Sequence, residues 1–214
     1  MEQKKTIMTK INDFKNVFTE RRAINYFDTE KLLSDDILKD IINLAVTAPS
    51  AFNLQPWDII AVKSKEAKKK LYGLASSQQK VIEAPITLII LGNRKGYETS
   101  NPIWEIQEKE RGSEYVQKAK EMTQFLYGST KERQIKFAES NTGLLAMSIM
   151  YAAKYYGVDS HPMSGIDFDG IKEAFDIQED REAVMLIALG YFDNNKELYP
   201  KAYRRGFEEV VTIV

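Results

Sequence analysis

The chain has 214 residues, 43% of them hydrophobic, enough to bury one substantial core and within the range of a single domain. Lys and Arg number 30 against 31 Asp and Glu, so no net field draws the chain toward nucleic acid or an anionic membrane. Cysteine is absent, which excludes disulfides, a thiolate nucleophile and Cys-ligated metal and leaves stability to packing.

The opening stretch, MEQKKTIMTKINDF, lacks the apolar core of a secretory signal. A helix is expected around Ile11 to Glu20, followed by the basic stretch RRAINYF. Ser34 stands where an N-cap belongs, with Asp35 and Asp36 in a first turn that suits carboxylates. Ile37, Leu38, Ile41, Ile42, Ala45 and Val46 then recur at helical spacing until Pro49 ends the segment. Trp57 to Val62 reads as a strand, and Ser64 to Ala75 as a solvated helix with KKK on its wet face. Ile86 to Leu91 is a continuous β-branched and leucine run bounded by Pro85 and Gly92, the pattern of a strand covered on both sides.

From about 93 to 130 the chain turns polar, with Trp104, Tyr115, Phe125 and Tyr127 among charges. That segment reads as a helical excursion and a candidate lid. A long helix is expected from Lys131 to Tyr156, with Gly157 at the C′ position. Its second half is apolar on nearly all sides, which predicts a fully buried central helix. The run GLLAMSIMYAA within it is shorter than the roughly 20 residues a membrane helix needs, and a soluble, cytoplasmic protein is the expectation. Ala183 to Phe192 reads as a buried strand, and FEEVVTIV as a closing one. Residues 1–214 form one expected domain, with 200–214 as a C-terminal extension. Alternating strands and helices point to an α+β or α/β three-layer arrangement.

Motif absences narrow the chemistry. Neither G-x-G-x-x-G nor G-x-x-x-x-G-K-[ST] occurs, so a Rossmann cradle and a P-loop are not expected. One histidine, His161, cannot build a His-rich metal site. With no nucleophile near it in sequence, it reads as a loop histidine rather than a general base. Four segments remain whose polar residues lack an evident structural task. Arg21 and Arg22 are either surface charge or a bidentate clamp for phosphate. APSAFNLQPW, from Ala48 to Trp57, is either a capped turn or a set of hydroxyl and amide groups beside an aromatic ring, suited to the edge of a planar heterocycle. HPMSGID, from His161 to Asp167, is either a plain turn or a place where bare backbone approaches a ligand. YPKAYRRGFEE carries Lys201, Arg204 and Arg205 as a second basic cluster.

In order and spacing these segments resemble the FMN-dependent nitroreductases of the oxygen-insensitive NAD(P)H type. The resemblance runs from RRAINYF through APSAFNLQPW, VIEAPITLII and GLLAMSIMYAAKYYGV to PMSGID and LGYFD. It implies a three-layer α/β/α sandwich of the α+β class with a central mixed sheet, in an intertwined homodimer with FMN sites at the interface. It further implies that Arg21, Arg22, Lys201 and Arg204, or Arg205 in its place, hold the phosphate and ribityl end. Ser50, Ala51, Phe52 and Asn53 are implied to reach the flavin bound mainly by the other chain. Pro162, Met163, Ser164 and Gly165 are implied to lie along the ring, with the Ser164 or Gly165 amide near N5. Ala23 and Asn25 stand where the family usually has Ser and a cation, and Ser164 replaces a frequent acid. Lys80 matches a second family position near the pyrimidine edge. The implied activity is NADH- or NADPH-driven reduction of a nitroaromatic compound or quinone, by ping-pong hydride transfer through flavin N5. Alternatives are a flavin-binding protein with little turnover, other flavin chemistry such as dehydrogenation or dehalogenation, and an interaction module without cofactor.

Overall fold

A computed structural model describes residues 14–214, so the first turn of the helix expected from Ile11 lies outside the described residues. In chain order the elements are α1 (Phe14–Glu20), α2 (Asp35–Ala45), a 3-10 turn (Ala51–Asn53), β1 (Trp57–Val62), α3 (Lys65–Leu74), α4 (Lys80–Glu83) and β2 (Ile86–Asn93). There follow α5 (Ile103–Arg111), α6 (Ser113–Tyr127), α7 (Lys131–Tyr155), β3 (Asp159–Met163), α8 (Phe168–Ala174), β4 (Arg181–Gly190) and α9 (Phe207–Val210).

Hydroxyl caps fix three of the helix starts. Ser34 Oγ accepts from Ile37 N at 3.3 Å, Ser64 Oγ from Ala67 N at 3.1 Å, and Thr130 Oγ1 from Arg133 N at 3.3 Å. Each satisfies an amide that the helix leaves without a partner. The strands pair in the order β1-β2-β4-β3. The central strand β2 is buried from Ile86 to Gly92, as a strand covered on both faces must be. Its side chains alternate between two cores. Ile86, Leu88 and Ile90 meet Leu145, Ile149 and Ala153 of α7 on one face, while Ile89 and Leu91 meet Leu71 of α3 and Ile171 of α8 on the other. Two helical layers thus enclose one sheet. Ile149 is fully buried, so Ile149→Ala is expected to lower unfolding free energy by about 2–5 kcal/mol, read from denaturant midpoints.

The structure differs from the sequence reading at four places. The mixed sheet is antiparallel in every ladder, its parallel component being a single bridge between Ala23 and Ser160. HPMSGID is not wholly a turn: His161, Pro162 and Met163 belong to β3, paired with Ala188, Ile187 and Leu186. β3 lies at the sheet edge, where the missing amide of Pro162 is tolerated. FEEVVTIV is not a strand. Glu209 reaches back to the Gly206 amide at 2.8 Å and sets a helical turn, and the exposed residues after Val210 pair with no strand among the described residues. Finally, α7 is not covered on all sides: Leu144 is 49% exposed and Tyr155 37%, with Met147 and Tyr151 half-buried on the same stripe.

Candidate active site

Four cations meet at one cavity of about 480 Å³: Arg21, Arg22, Lys201 and Arg204. Arg21 and Arg22 leave the end of α1, and the chain then joins β3 through the Ala23–Ser160 bridge, with Ile24 N donating to Ser160 O at 3.2 Å. The segment after β4 returns across this arm. Arg22 donates to the Tyr199 carbonyl, the Tyr26 and Tyr199 hydroxyls lie 3.0 Å apart, and Lys201 Nζ donates to Thr19 O at 3.2 Å. Arg204 Nη1 donates to Tyr203 O at 2.9 Å. Ala23, Pro162, Met147 and Met150 complete the apolar part of the wall, which contains no carboxylate. Arg205, the alternative to Arg204, is not part of it.

This arrangement asks for an anion. Like charges around one cavity repel one another, and no carboxylate in the wall offsets them. The Arg21 guanidinium has no hydrogen bond or ion pair among the described residues. A phosphate dianion would take that fork bidentately and relieve the repulsion.

Lys80 and Gly165 come together at a second locus. Lys80 Nζ lies 3.4 Å from Gln78 Oε1, and Gln78 Nε2 donates to the Gly165 carbonyl at 3.2 Å. Ser76 Oγ donates to the same carbonyl at 3.0 Å. Ser164 and Gly165 are exposed, so their amides remain open to a ligand. Burial lowers the Lys80 pKa, an effect opposed by Glu83 and Tyr199. The Met163 side chain is buried among the core residues of one sheet face. Asn25 is half-buried on the arm beside these groups.

The APSAFNLQPW turn is held from below. Ala51 N donates to Asn141 Oδ1 at 2.8 Å, Gln107 Nε2 to Phe52 O at 2.7 Å, and Asn101 Nδ2 to Leu54 O at 2.9 Å. The Ser50 hydroxyl accepts from Gln55 N at 2.9 Å and is thus a structural brace. Phe52 and Asn53 both have φ 53°, in the left-handed region that Asn tolerates and Phe does not. The Phe52 ring packs edge-on to Tyr127, centroids 6.5 Å apart, so it belongs to the core of the excursion. Asn53 is exposed. None of Ser50, Ala51, Phe52 and Asn53 lines the cationic cavity of its own chain.

Of the excursion's aromatics, Trp104 is buried and donates Nε1–H to Glu98 O at 2.9 Å, and Tyr127 lies against Phe137 with centroids 4.5 Å apart. Both are local core. Phe125 is 73% exposed and free to line a pocket made with another surface. Sequence reasoning missed Tyr199, Gln78 and Ser76. Tyr199 acts partly through a carbonyl, and the other two act on a carbonyl distant in sequence, so no motif marked them.

The sequence profile of the nitroreductase family matches residues 18–191. The chain belongs to the nitroreductase family. Among its relatives in Bacillus subtilis, YodC, assigned as an NAD(P)H nitroreductase, is 31% identical over 82% of this chain and 87% of its own. MhqN, assigned likewise, is 29% identical over 93% of this chain and 98% of its own. In three dimensions the B. subtilis nitroreductase ydfN superposes with a TM-score of 0.87 at 27% identity, covering 94% of this chain and 98% of that one. A nitroreductase from Exiguobacterium sibiricum in complex with FMN superposes with a TM-score of 0.82 at 26% identity, covering 94% and 97%.

Proposed function

We propose that this nitroreductase is an FMN-dependent homodimer that uses NADH or NADPH to reduce nitroaromatic compounds or quinones. The observation that carries the reading is the acid-free cavity walled by Arg21, Arg22, Lys201 and Arg204. These four would hold the FMN phosphate, and Ala23 and Pro162, in the same wall, would lead the flavin toward Ser164, Gly165 and Lys80. When bound, FMN supplies the chemistry, accepting a hydride from a reduced nicotinamide and passing it to the acceptor.

The protein's part is position, charge and exclusion of water. Ser76 and Gln78 fix the Gly165 carbonyl and so brace the turn that carries Ser164 and Gly165. Lys80 would supply the positive charge that Asn25, a neutral donor, does not. A cation there favours the negative charge that a reduced flavin carries. No side chain need break a bond as acid or base.

Dimerisation is supported by the uncovered stripe of α7. Leu144, Met147, Tyr151 and Tyr155 recur at helical spacing, and Met147 also walls the cavity. A second copy on this stripe would therefore close the cavity. It would also give a place to Asn53, which is exposed, held in a strained turn, and remote from its own chain's cations. The tail residues Val210, Val211 and Ile213 are likewise exposed apolar groups in one chain. Among the described residues no helix is long and apolar enough to cross a membrane.

The test is the oxidative half-reaction. Protein loaded with FMN and reduced without oxygen is mixed with a nitroaromatic compound or a quinone, and return of flavin absorbance is followed. Reoxidation faster than in the acceptor-free control is the expected result. Equal rates with and without either acceptor would contradict the proposed substrate class.

A further inference from the structure

His161 is the one histidine of the chain, and the proposed reaction assigns it no task. Its neighbours in the chain nonetheless belong to the proposed site. Pro162, next in β3, walls the cationic cavity, and Ser164 and Gly165 follow. Its Nδ1 lies 2.6 Å from the carbonyl of Ile24, the residue between Ala23 and Asn25. A carbonyl can only accept, so the ring proton sits on Nδ1 and the Nε2 lone pair of the neutral ring points elsewhere. Burial lowers the His161 pKa, the nearby Lys80 ammonium lowers it further, and the Ile24 bond partly offsets both. The ring is only half-buried, so a proton from solvent has access to it.

These facts describe a base whose surroundings favour its neutral form and which feels the charge of Lys80 at the proposed ring site. We propose that His161 is a redox-linked proton acceptor, neutral while the bound flavin is oxidised and protonated at Nε2 once the flavin is reduced. The inference rests on the FMN reading above. The balance is simple: a hydride would bring two electrons and one proton to the ring and leave it one negative charge, and one proton from the buffer acid in solvent would then give His161 one positive charge, leaving the conjugate base behind. Neither Nδ1–H nor its bond to Ile24 is disturbed by that step. Among the described residues the other ionisable groups of this neighbourhood are Lys80 and Glu83 of α4, with Tyr199 acting on Lys80 and Tyr26 hydrogen-bonded to Tyr199. Burial and then Lys80 disfavour the charged imidazole, and a new anion in the flavin would offset them. His161 is thus a positioning residue for charge, not a group that touches the acceptor.

A lone histidine gives one imidazole signal, so tag-free protein labelled with ¹³C-histidine is titrated by NMR with FMN bound, first oxidised and then reduced anaerobically with dithionite. The expected result is a higher His161 pKa in the reduced state, by about one unit or a tenfold gain in proton affinity. Identical titrations in the two states would overturn the assignment while leaving the flavin site standing. A chain that takes up no FMN would remove the flavin reading and this inference with it. The flavin midpoint potential gives an independent check: its dependence on pH should be steeper in the unmutated protein than in His161→Asn, whose amide nitrogen stands where Nδ1 donates to Ile24. Equal slopes would also overturn the proposal.

Discussion

Arg21→Ala is expected to weaken FMN binding by roughly 10- to 150-fold, the loss of a charge-assisted phosphate contact of about 1.5–3 kcal/mol. Titration of the flavin-free protein with FMN, followed by quenching of flavin fluorescence, reads the affinity directly. Arg21 is the cleanest of the four cations to remove, because its guanidinium holds no other group among the described residues. Arg22 and Lys201 also tie down the returning segment, through the Tyr199 and Thr19 carbonyls, so their loss would disturb structure and ligand together. The flavin-free Arg21→Ala variant should accordingly melt no lower than the unmutated chain, since it relieves repulsion among cations. Unchanged FMN affinity would remove Arg21 from the site.

Leu144→Glu is expected to convert the proposed dimer to monomer and to lose bound FMN in parallel. In a two-fold interface the same stripe of α7 faces itself, so one substitution sets two carboxylates into one apolar contact. Burying such unpaired charges costs several kcal/mol, enough to raise the dissociation constant by more than about 100-fold. In the single chain Leu144 is 49% exposed, so the fold itself should survive the change. Light scattering coupled to size-exclusion chromatography reads the mass, and absorbance at flavin wavelengths reads the cofactor. A dimer of unchanged mass and flavin content would contradict an interface on this stripe.

Much of the fold was legible because local signals and tertiary demand agreed. The Ser34 cap and the Ile37 to Val46 pattern fall on α2, and the uninterrupted run in β2 is the strand buried on both faces. β3 was missed for a physical reason: DSHPM has neither an apolar run nor clean alternation, and a proline inside it argues against a strand unless the strand lies at an edge. The α7 stripe and FEEVVTIV misled in a related way. An apolar residue signals that something covers it, and the sequence does not say whether the cover belongs to the same chain.

The site was legible as charge and less so as geometry. Arg21, Arg22, Lys201 and Arg204 stood out as two basic clusters far apart in sequence, and the fold brings them to one cavity. Ser50 and Phe52 looked equally available for binding, yet one braces the turn and the other packs into the excursion. Gln78 and Ser76 carried no signal, because holding a carbonyl nearly 90 residues away follows from the topology and from no local pattern.

Reduction of a bound flavin by a nicotinamide is tested by one spectrum. The desalted protein, incubated with FMN and desalted again, is scanned in the visible before and after anaerobic addition of NADPH, and then separately with NADH. The expected result is an oxidised flavin spectrum that bleaches with at least one of the two. Protein that retains no flavin, or retained flavin that neither nucleotide bleaches, would contradict it.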